Sequence, residues 1–147
     1  MTDPAIDAWA AILRTYTTLV PVLDRELQAA CGLPLTWYDV MLELYHAPAR
    51  TLTMGELGNA AVVSRSRVSR VVDELVRAGL VQRRTNPGDG RSSLAVLTNA
   101  GSRRFRTAAP HYLDGIERHF AAHLRGREAA VLATALQRVL AQSASVG

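Results

Sequence analysis

The sequence contains no lysine, only one cysteine and no long apolar run. All 17 residues in the Lys and Arg count are arginine, and Cys31 has no second cysteine with which to form a disulfide within the chain. No run reaches the roughly 18 apolar residues of a membrane helix. Residues 1–4 lack the basic start and apolar stretch of a signal peptide. We therefore expect a cytoplasmic protein with no membrane partner.

The positive charge is concentrated in one short stretch of the chain. Residues 64–91 hold seven arginines and three acidic residues, a net charge of +4, whereas the rest of the chain holds ten of each sign. A focused basic stretch indicates a polyanionic partner. The alternative is a basic face that is simply solvated.

Apolar residues near the N-terminus recur at steps of three and four, which predicts a helix over residues 4–31 with one apolar stripe. The stripe consists of Ile6, Trp9, Leu13, Tyr16, Val20, Leu23 and Leu27. Pro21 lies inside it and should kink or divide the helix. Gly32 should end the helix.

Three further helices flank the basic stretch. A loose capping box of Thr36 and Asp39 predicts a helix over 36–47. Thr98 should cap a helix over 99–124 that Pro110 and Gly115 bend or weaken, and a last helix should cover 127–143. The terminal helices carry more apolar surface than a small domain can cover, which favours a dimer with helices packed across a two-fold axis.

Two short helices and a hairpin occupy the centre of the chain. The capping box from Thr53 to Glu56 predicts a helix over 53–60, and Ser64 should cap the next helix over 64–78. Residues 80–84 and 94–97 are typical of strands joined by a loop rich in turn formers. The pattern predicts a mainly α protein with a small β-hairpin, in which a helix-turn-helix is followed by a hairpin, the wing.

The chain resembles the multiple-antibiotic-resistance regulator (MarR) family over nearly its whole length. Residues 64–81, SRSRVSRVVDELVRAGLV, are similar to the family's recognition helix and the turn into its wing. Residues 86–91 and 97–101 resemble its wing motif Asp-Pro-x-Asp-x-Arg and the following Leu-Thr-x-x-Gly, with Asn86 in place of the first Asp. Residues 35–40 also resemble the start of the family's second helix.

The resemblance implies a single domain, 1–147, with a winged helix-turn-helix lobe over 36–98 and dimerisation helices over 4–31 and 99–143. It implies a homodimeric transcriptional regulator of double-stranded DNA with a near-palindromic operator, released by a small aromatic effector when it acts as a repressor. The alternatives are an architectural DNA-binding protein without ligand control and a redox- or metal-responsive regulator. We expect neither an enzyme nor a cofactor, because no triad, phosphate loop or paired acid motif is present.

The expected DNA contacts lie on the outward face of the helix over 64–78 and on the wing. The buried stripe of Val68, Val71, Val72 and Leu75 leaves the early polar residues to face outward, where a recognition helix reads the major groove. The predicted contacts are Ser64, Arg65, Ser66, Arg67, Ser69, Arg70, Arg84 and Arg91. The resemblance implies that Arg91 reaches the minor groove, and Asp89 is expected to orient a wing arginine through a charged hydrogen bond.

A second set of residues is predicted to line an effector pocket between the dimer helices and the DNA-binding lobe, as the resemblance implies. These residues are Trp9, Tyr16, Trp37, Tyr38 and His46. The alternative is that they are ordinary core residues. Trp9 and Asp39 match part of the residue set of the family's urate-responsive branch, but Val71 stands where that branch has an arginine.

Cysteine and histidine leave two further possibilities open. Cys31 could sense oxidants, although no His, Lys or Arg is adjacent to it in the sequence, and packing is the ordinary role of such a cysteine. His111, His119 and His123 fall on one predicted helix, where His119 and His123 would share a face and could hold a metal. Interface packing is the alternative.

Overall fold

A computed structural model describes residues 3–144 of the chain. The described residues form six helices and three strands. In chain order they are α1 (Pro4–Cys31), α2 (Leu35–His46), β1 (Thr51–Thr53), α3 (Met54–Ala60), α4 (Arg65–Arg77), β2 (Val81–Thr85), β3 (Ser93–Leu97), α5 (Asn99–His119) and α6 (Glu128–Ala144). Short 3-10 turns cover Pro48–Arg50 and Ala121–His123. The mainly α class with a small antiparallel sheet is confirmed.

The chain divides into two compact units, the first ending at Tyr112 and the second beginning at Leu113. The core of the first unit is formed by apolar side chains from α1 to α5. Its most deeply buried members include Leu27, Leu33, Val40, Met41, Leu44, Leu57, Val68, Val72, Leu75 and Val81. The second unit contains α6, none of whose side chains is buried. No helix among residues 3–144 is long and apolar enough to cross a membrane.

Helix α1 runs unbroken for 28 residues, so the expectation that Pro21 divides it is wrong. Its N-terminus is capped by Asp3, whose side chain accepts a hydrogen bond from the amide of Ala5 at 2.9 Å. Gly32 ends the helix with a positive φ of 68°, a conformation that a residue without Cβ adopts at little cost.

Helix α2 begins without the predicted capping box of Thr36 and Asp39. Pro34 occupies the cap position and offers no side-chain capping hydrogen bond. Instead, the amide of Leu35 donates to Asp24 Oδ1 in α1 at 2.9 Å. The cap is thus supplied by a residue eleven positions earlier, which local sequence spacing could not reveal.

The three strands form one sheet in the order β1-β3-β2, with both pairs antiparallel. Val81 of β2 lies opposite Leu97 of β3, and Thr85 lies opposite Ser93. The sequence predicted this hairpin but missed β1, which pairs Thr51 with Val96 along the other edge of β3. The sheet therefore places the wing beside both the start of α3 and the end of α4.

Helix α5 starts at the predicted position and ends earlier than predicted. Thr98 caps it by accepting a hydrogen bond from the amide of Gly101 at 3.0 Å. The helix continues through Pro110 and Gly115 but stops at His119. Because His123 lies in a separate 3-10 turn, the expectation that it shares a helical face with His119 is wrong.

Candidate functional site

Helices α3 and α4 form the helix-turn-helix, and one side of α4 is left open to solvent. The Thr53 side chain accepts a hydrogen bond from the Glu56 amide at 3.0 Å, as its capping box predicted. On α4, Val68, Val71, Val72 and Leu75 are at most 4% exposed. These buried residues fix which side of the helix faces the solvent.

The exposed side of α4 carries the predicted DNA contacts from Arg65 to Arg70. Arg67 and Arg70 form no hydrogen bond or ion pair with another residue in the stretch 3–144. Arg65 donates to the side chain of Asn59 in α3. Two guanidinium groups at the start of α4 are therefore available to a ligand outside the chain.

Ser64 stands at the N-terminal cap position of α4, but its side chain makes no capping hydrogen bond. Its hydroxyl instead lies 3.3 Å from the Ser66 hydroxyl. The predicted cap position of Ser64 is confirmed, but no side-chain hydrogen bond caps the helix there. Backbone amides at the start of α4 consequently lack this side-chain acceptor, which suits an incoming phosphate oxygen.

The wing contributes a second group of arginines. Arg83, Arg84 and Arg91 all line one shallow depression of about 290 Å³ on the β2–β3 hairpin. Arg84 donates to Gln82 Oε1 at 3.2 Å. The loop that carries Arg91 is closed by two bonds between Asn86 and Ser92, one of them between side chains at 2.9 Å.

Asp89 shapes the wing loop in a way that differs from the expectation. Its Oδ1 accepts a hydrogen bond from the backbone amide of Arg91 at 3.0 Å, not from a guanidinium group. The Arg91 side chain itself has no hydrogen-bond or ion-pair partner within residues 3–144. Asp89 therefore fixes the backbone from which Arg91 projects and leaves its charge free.

Arg83 has a structural role that sequence reasoning missed. Its guanidinium group forms an ion pair with Asp73 at 2.8 Å and also contacts the Ser69 carbonyl and hydroxyl oxygens at 3.3 Å. The wing strand β2 is thereby joined to α4. Side chains alternate along a strand, and the ion pair shows that the exposed Arg83 is turned towards α4 while its neighbour Arg84 is not bound to that helix.

Helix α4 is also held from its other side. The indole nitrogen of Trp37 in α2 donates to Glu74 Oε2 at 2.7 Å. Asp73 and Glu74, adjacent acidic residues on α4, thus bind the wing and α2 respectively. The spacing of residues in the sequence does not indicate either pairing, because Arg83 and Trp37 lie outside α4 and far from its local pattern.

A cleft of about 560 Å³ lies within the first unit, between α1, α2 and the segment leading into α4. We name it the α1–α2 cleft. Its lining consists of Tyr16, Val20, Asp24, Gln28, Pro34, Leu35, Thr36, Asp39, Val62, Val63, Ser64 and Arg67. It therefore adjoins the first turn of the helix that carries the free guanidinium groups.

Of the five residues predicted to line an effector pocket, only Tyr16 lines this cleft. Trp37 is bound to Glu74, and Tyr38 is buried with its ring centroid 5.0 Å from Phe105 and 4.7 Å from Tyr112. His46 lies at the exposed end of α2, against Tyr45. Trp9 is 58% exposed on α1.

The residues considered for metal or oxidant sensing do not form a cluster. Within residues 3–144 no group of three or more His, Cys, Asp or Glu side chains is placed to hold a metal ion. Cys31 is half-buried at the end of α1, where its thiol donates to the Leu27 carbonyl at 3.2 Å. The Cys31 carbonyl in turn accepts a hydrogen bond from Arg104 at 2.6 Å.

Comparison with known proteins agrees with this architecture. Residues 32–92 match a family model described as MarR family. A MarR family transcriptional regulator from Streptomyces coelicolor, solved in complex with DNA, is 31% identical with a TM-score of 0.85, and the match covers 97% of this chain and 89% of that one. A second regulator from the same organism, AbsC, is 29% identical with a TM-score of 0.86, over 99% of this chain and 97% of that one.

A more distant structure shares the fold. The Escherichia coli MarR mutant solved with operator DNA is 24% identical with a TM-score of 0.78, over 95% of this chain and 99% of that one. No curated protein sequence matches the chain.

Proposed function

The chain belongs to the MarR family of DNA-binding transcriptional regulators, which are not enzymes, and we propose that it acts as a ligand-responsive, homodimeric repressor. The observation that carries the proposal is the pair of free guanidinium groups, Arg67 and Arg70, on the exposed side of α4, next to the arginines of the wing. An arginine can donate two hydrogen bonds to the edge of a guanine in the major groove.

In the proposed complex, α4 enters the major groove with its N-terminal half. Ser66, Arg67 and Arg70 read bases, while Ser64 and the amides at the helix start bind a phosphate. Arg65 and Ser69 have intramolecular partners in Asn59 and Arg83, so their contribution is to the backbone contact. The wing places Arg84 on the phosphate backbone and Arg91 in the adjacent minor groove, where narrow A·T-rich grooves attract arginine.

The proposed dimer is supported by apolar side chains left open to solvent on α1 and α6. On α1 these are Ile6, Trp9, Leu13 and Tyr16, each at least 47% exposed. On α6 they are Val131, Leu132, Leu136, Val139 and Leu140. Exposed apolar stripes of this kind mark contact surfaces. Two recognition helices about 34–36 Å apart would then read a near-palindromic operator in successive major grooves.

Ligand response is proposed to act through the α1–α2 cleft. Ser64 and Arg67 both line the cleft and belong to the proposed DNA-binding face. A molecule in the cleft would therefore contact residues that the DNA also requires. Its effect on the DNA affinity is set by the difference between its affinities for the free and the DNA-bound forms.

Fluorescence anisotropy tests the proposal with DNA from upstream of the protein's own gene beside scrambled DNA, over a series of salt concentrations. We expect upstream DNA to bind roughly a thousandfold more tightly, with an affinity that falls steeply as salt rises. Equal binding to both DNAs would favour an architectural protein. No binding to either DNA at low salt would contradict the DNA-binding role of the basic stretch.

A further inference from the structure

The α1–α2 cleft contains two carboxylates that differ in what they bind. Both oxygens of Asp24 have a partner: Oδ1 accepts from the backbone amide of Leu35 and Oδ2 accepts from the side-chain Nε2 of Gln28, both at 2.9 Å. Asp39 lines the same cleft and has no hydrogen-bond or ion-pair partner anywhere in residues 3–144. Asp39 is therefore the carboxylate in the cleft that is free to receive a ligand.

The surroundings of Asp39 raise the free energy of its ionised form. Its side chain is half-buried, and burial together with the neighbouring Glu43 raises its pKa to about 6. At neutral pH the carboxylate is still mostly ionised. A partly buried charge without a partner loses hydration that nothing in the protein replaces. A cation beside Asp39 would compensate for the lost hydration of the carboxylate. An anion at the same place would repel the Asp39 carboxylate, which Glu43 already repels.

The remaining lining of the cleft is mixed, and an apolar part lies beside the uncharged polar residues Gln28, Thr36 and Ser64. Val20, Leu35 and Val62 supply aliphatic surface, and Tyr16 supplies an aromatic ring. The one basic residue in the lining is Arg67, which is exposed, so solvent weakens its field inside the cleft. The cleft thus offers an apolar patch together with one carboxylate that has no partner among the described residues.

We propose that the α1–α2 cleft selects a small molecule in which an apolar or aromatic body carries a protonated amine, and that Asp39 binds the amine. The proposal rests on the ligand-responsive function proposed above and specifies the charge of the ligand. It predicts that the cleft binds cationic aromatic molecules more tightly than anionic phenols or carboxylic acids of similar size.

Three probes with one aromatic body and different charge test this preference: 2-phenylethylamine, 2-phenylethanol and 3-phenylpropionate. Each is titrated into the full chain at pH 7.5 and constant ionic strength, with binding measured by calorimetry or ligand-observed NMR. We expect the amine to bind about tenfold more tightly than the alcohol, as for one charge-assisted hydrogen bond, and the carboxylate to bind most weakly.

Variants identify the group responsible. Asp39→Asn should remove the preference for the amine over the alcohol, whereas Asp39→Glu, which keeps the charge, should retain most of it. Glu56→Gln is the matched control, because Glu56 is an exposed carboxylate on α3 outside the cleft lining and its removal should leave the preference intact. Circular dichroism confirms that each variant is folded.

The proposal would be overturned if the three probes bound equally or if 3-phenylpropionate bound most tightly. It would also be overturned if the amine did not bind up to about 10 mM, the weakest affinity expected for an efficient ligand of this size. An amine preference that survives in folded Asp39→Asn would overturn it as well. The effect of each probe on DNA anisotropy is measured separately. Amine binding without DNA release would contradict the ligand-responsive function while supporting the cleft's ligand class.

Discussion

The arginines of residues 64–91 differ in what their guanidinium groups contact. Arg83 is bound to Asp73 and Ser69 on the surface of α4, and Arg65 is bound to Asn59. Arg67, Arg70 and Arg91 have no such partners within residues 3–144. An arginine that is already paired gives up an interaction when it binds DNA, so the unpaired ones offer the larger net gain.

Arg70→Ala should therefore weaken operator binding by about 1–3 kcal/mol for each base that the arginine reads, and it should relax the sequence preference at that position. Arg77→Ala is the control, because Arg77 is also exposed but lies in the last turn of α4. Anisotropy with the operator and single-base variants measures both effects. Unchanged affinity and preference in Arg70→Ala would show that the reading face of α4 is assigned wrongly.

Asp39 gives a prediction about stability. Its pKa is raised from 3.8 to about 6, by burial first and Glu43 second, while Tyr38 and Tyr112 interact electrostatically with it from α2 and α5. Asp24, Tyr16 and Arg67 line the same cleft. Since the folded form holds the proton more tightly than the unfolded form, this group makes the free energy of unfolding rise as pH falls from above 6 towards 4.

Asp39→Asn removes the ionisation and should raise the free energy of unfolding at pH 7 by about 1–2 kcal/mol after allowance for solvent screening, with little effect at pH 4. Urea unfolding at several pH values measures the difference between the variant and the wild type. A difference that stays constant from pH 4 to pH 7 would show that Asp39 is not the titrating group.

At the scale of the elements, two adjacent acidic residues link α4 to its neighbours in addition to its buried apolar stripe. The ion pair from Asp73 to Arg83 joins it to β2, and the hydrogen bond from Glu74 to Trp37 joins it to α2. The surface ion pair alone is worth little. Its consequence is geometric, because together with the contacts from Arg83 to Ser69 it links the wing to the recognition helix before DNA is present.

The start of α5 is joined closely to the segment before β2. The Thr98 hydroxyl donates to the Gly79 carbonyl at 2.8 Å, and the Thr98 amide donates to the Leu80 carbonyl at 3.0 Å. A Cβ on Gly101 would overlap the Leu80 carbonyl oxygen and a methyl group of Leu97. The absence of a side chain at Gly101 is what allows α5 to approach the backbone at this point.

Gly101→Ala should therefore lower stability by about 1–3 kcal/mol, because the clash is with backbone that cannot rotate away. Gly58→Ala is the control, since a Cβ there would meet only Arg65 Cγ at an ordinary 3.5 Å. Thermal melts should show a lowered Tm for the first variant, and an unchanged or slightly raised Tm for the second because alanine favours helix. An unchanged Tm in Gly101→Ala would mean that α5 can shift without cost.

The elements that sequence predicted well are those specified by local patterns. The capping residues Thr53 and Thr98, the stripe on α4 and the turn-rich loop all act within a few positions, and each feature is present. The missed features depend on remote partners: β1 forms because β3 offers an unpaired edge, and α2 begins where Asp24 supplies its cap. Of the residues predicted to line an effector pocket, only Tyr16 lines the α1–α2 cleft. The prediction depended on residue type, and residue type alone does not determine which side chains line the same pocket.

At the scale of the whole molecule, the two units each carry apolar surface that nothing in the described chain covers. On α1, Trp9 is 58% exposed, and on α6, Val139 and Leu140 are 59% and 67% exposed. Large exposed apolar side chains at helical spacing on both terminal helices are typical of an oligomer interface. A second copy of the chain is the partner that the family membership favours.

The double variant Val139→Arg and Leu140→Arg should be a monomer. Burying two guanidinium groups in an apolar interface costs more free energy than the remaining contacts between the copies supply. The monomer would bind one operator half-site without the effective concentration that the second half-site provides, so the operator affinity should fall by about 10²–10⁴-fold. Thr134→Arg, on the exposed opposite face of α6, should leave assembly and affinity unchanged. Sedimentation velocity and anisotropy on the same samples measure assembly and operator affinity. A dimer that persists in the double variant would show that the interface lies elsewhere. A monomer that binds the full operator with undiminished affinity would show that reading the DNA does not require two copies.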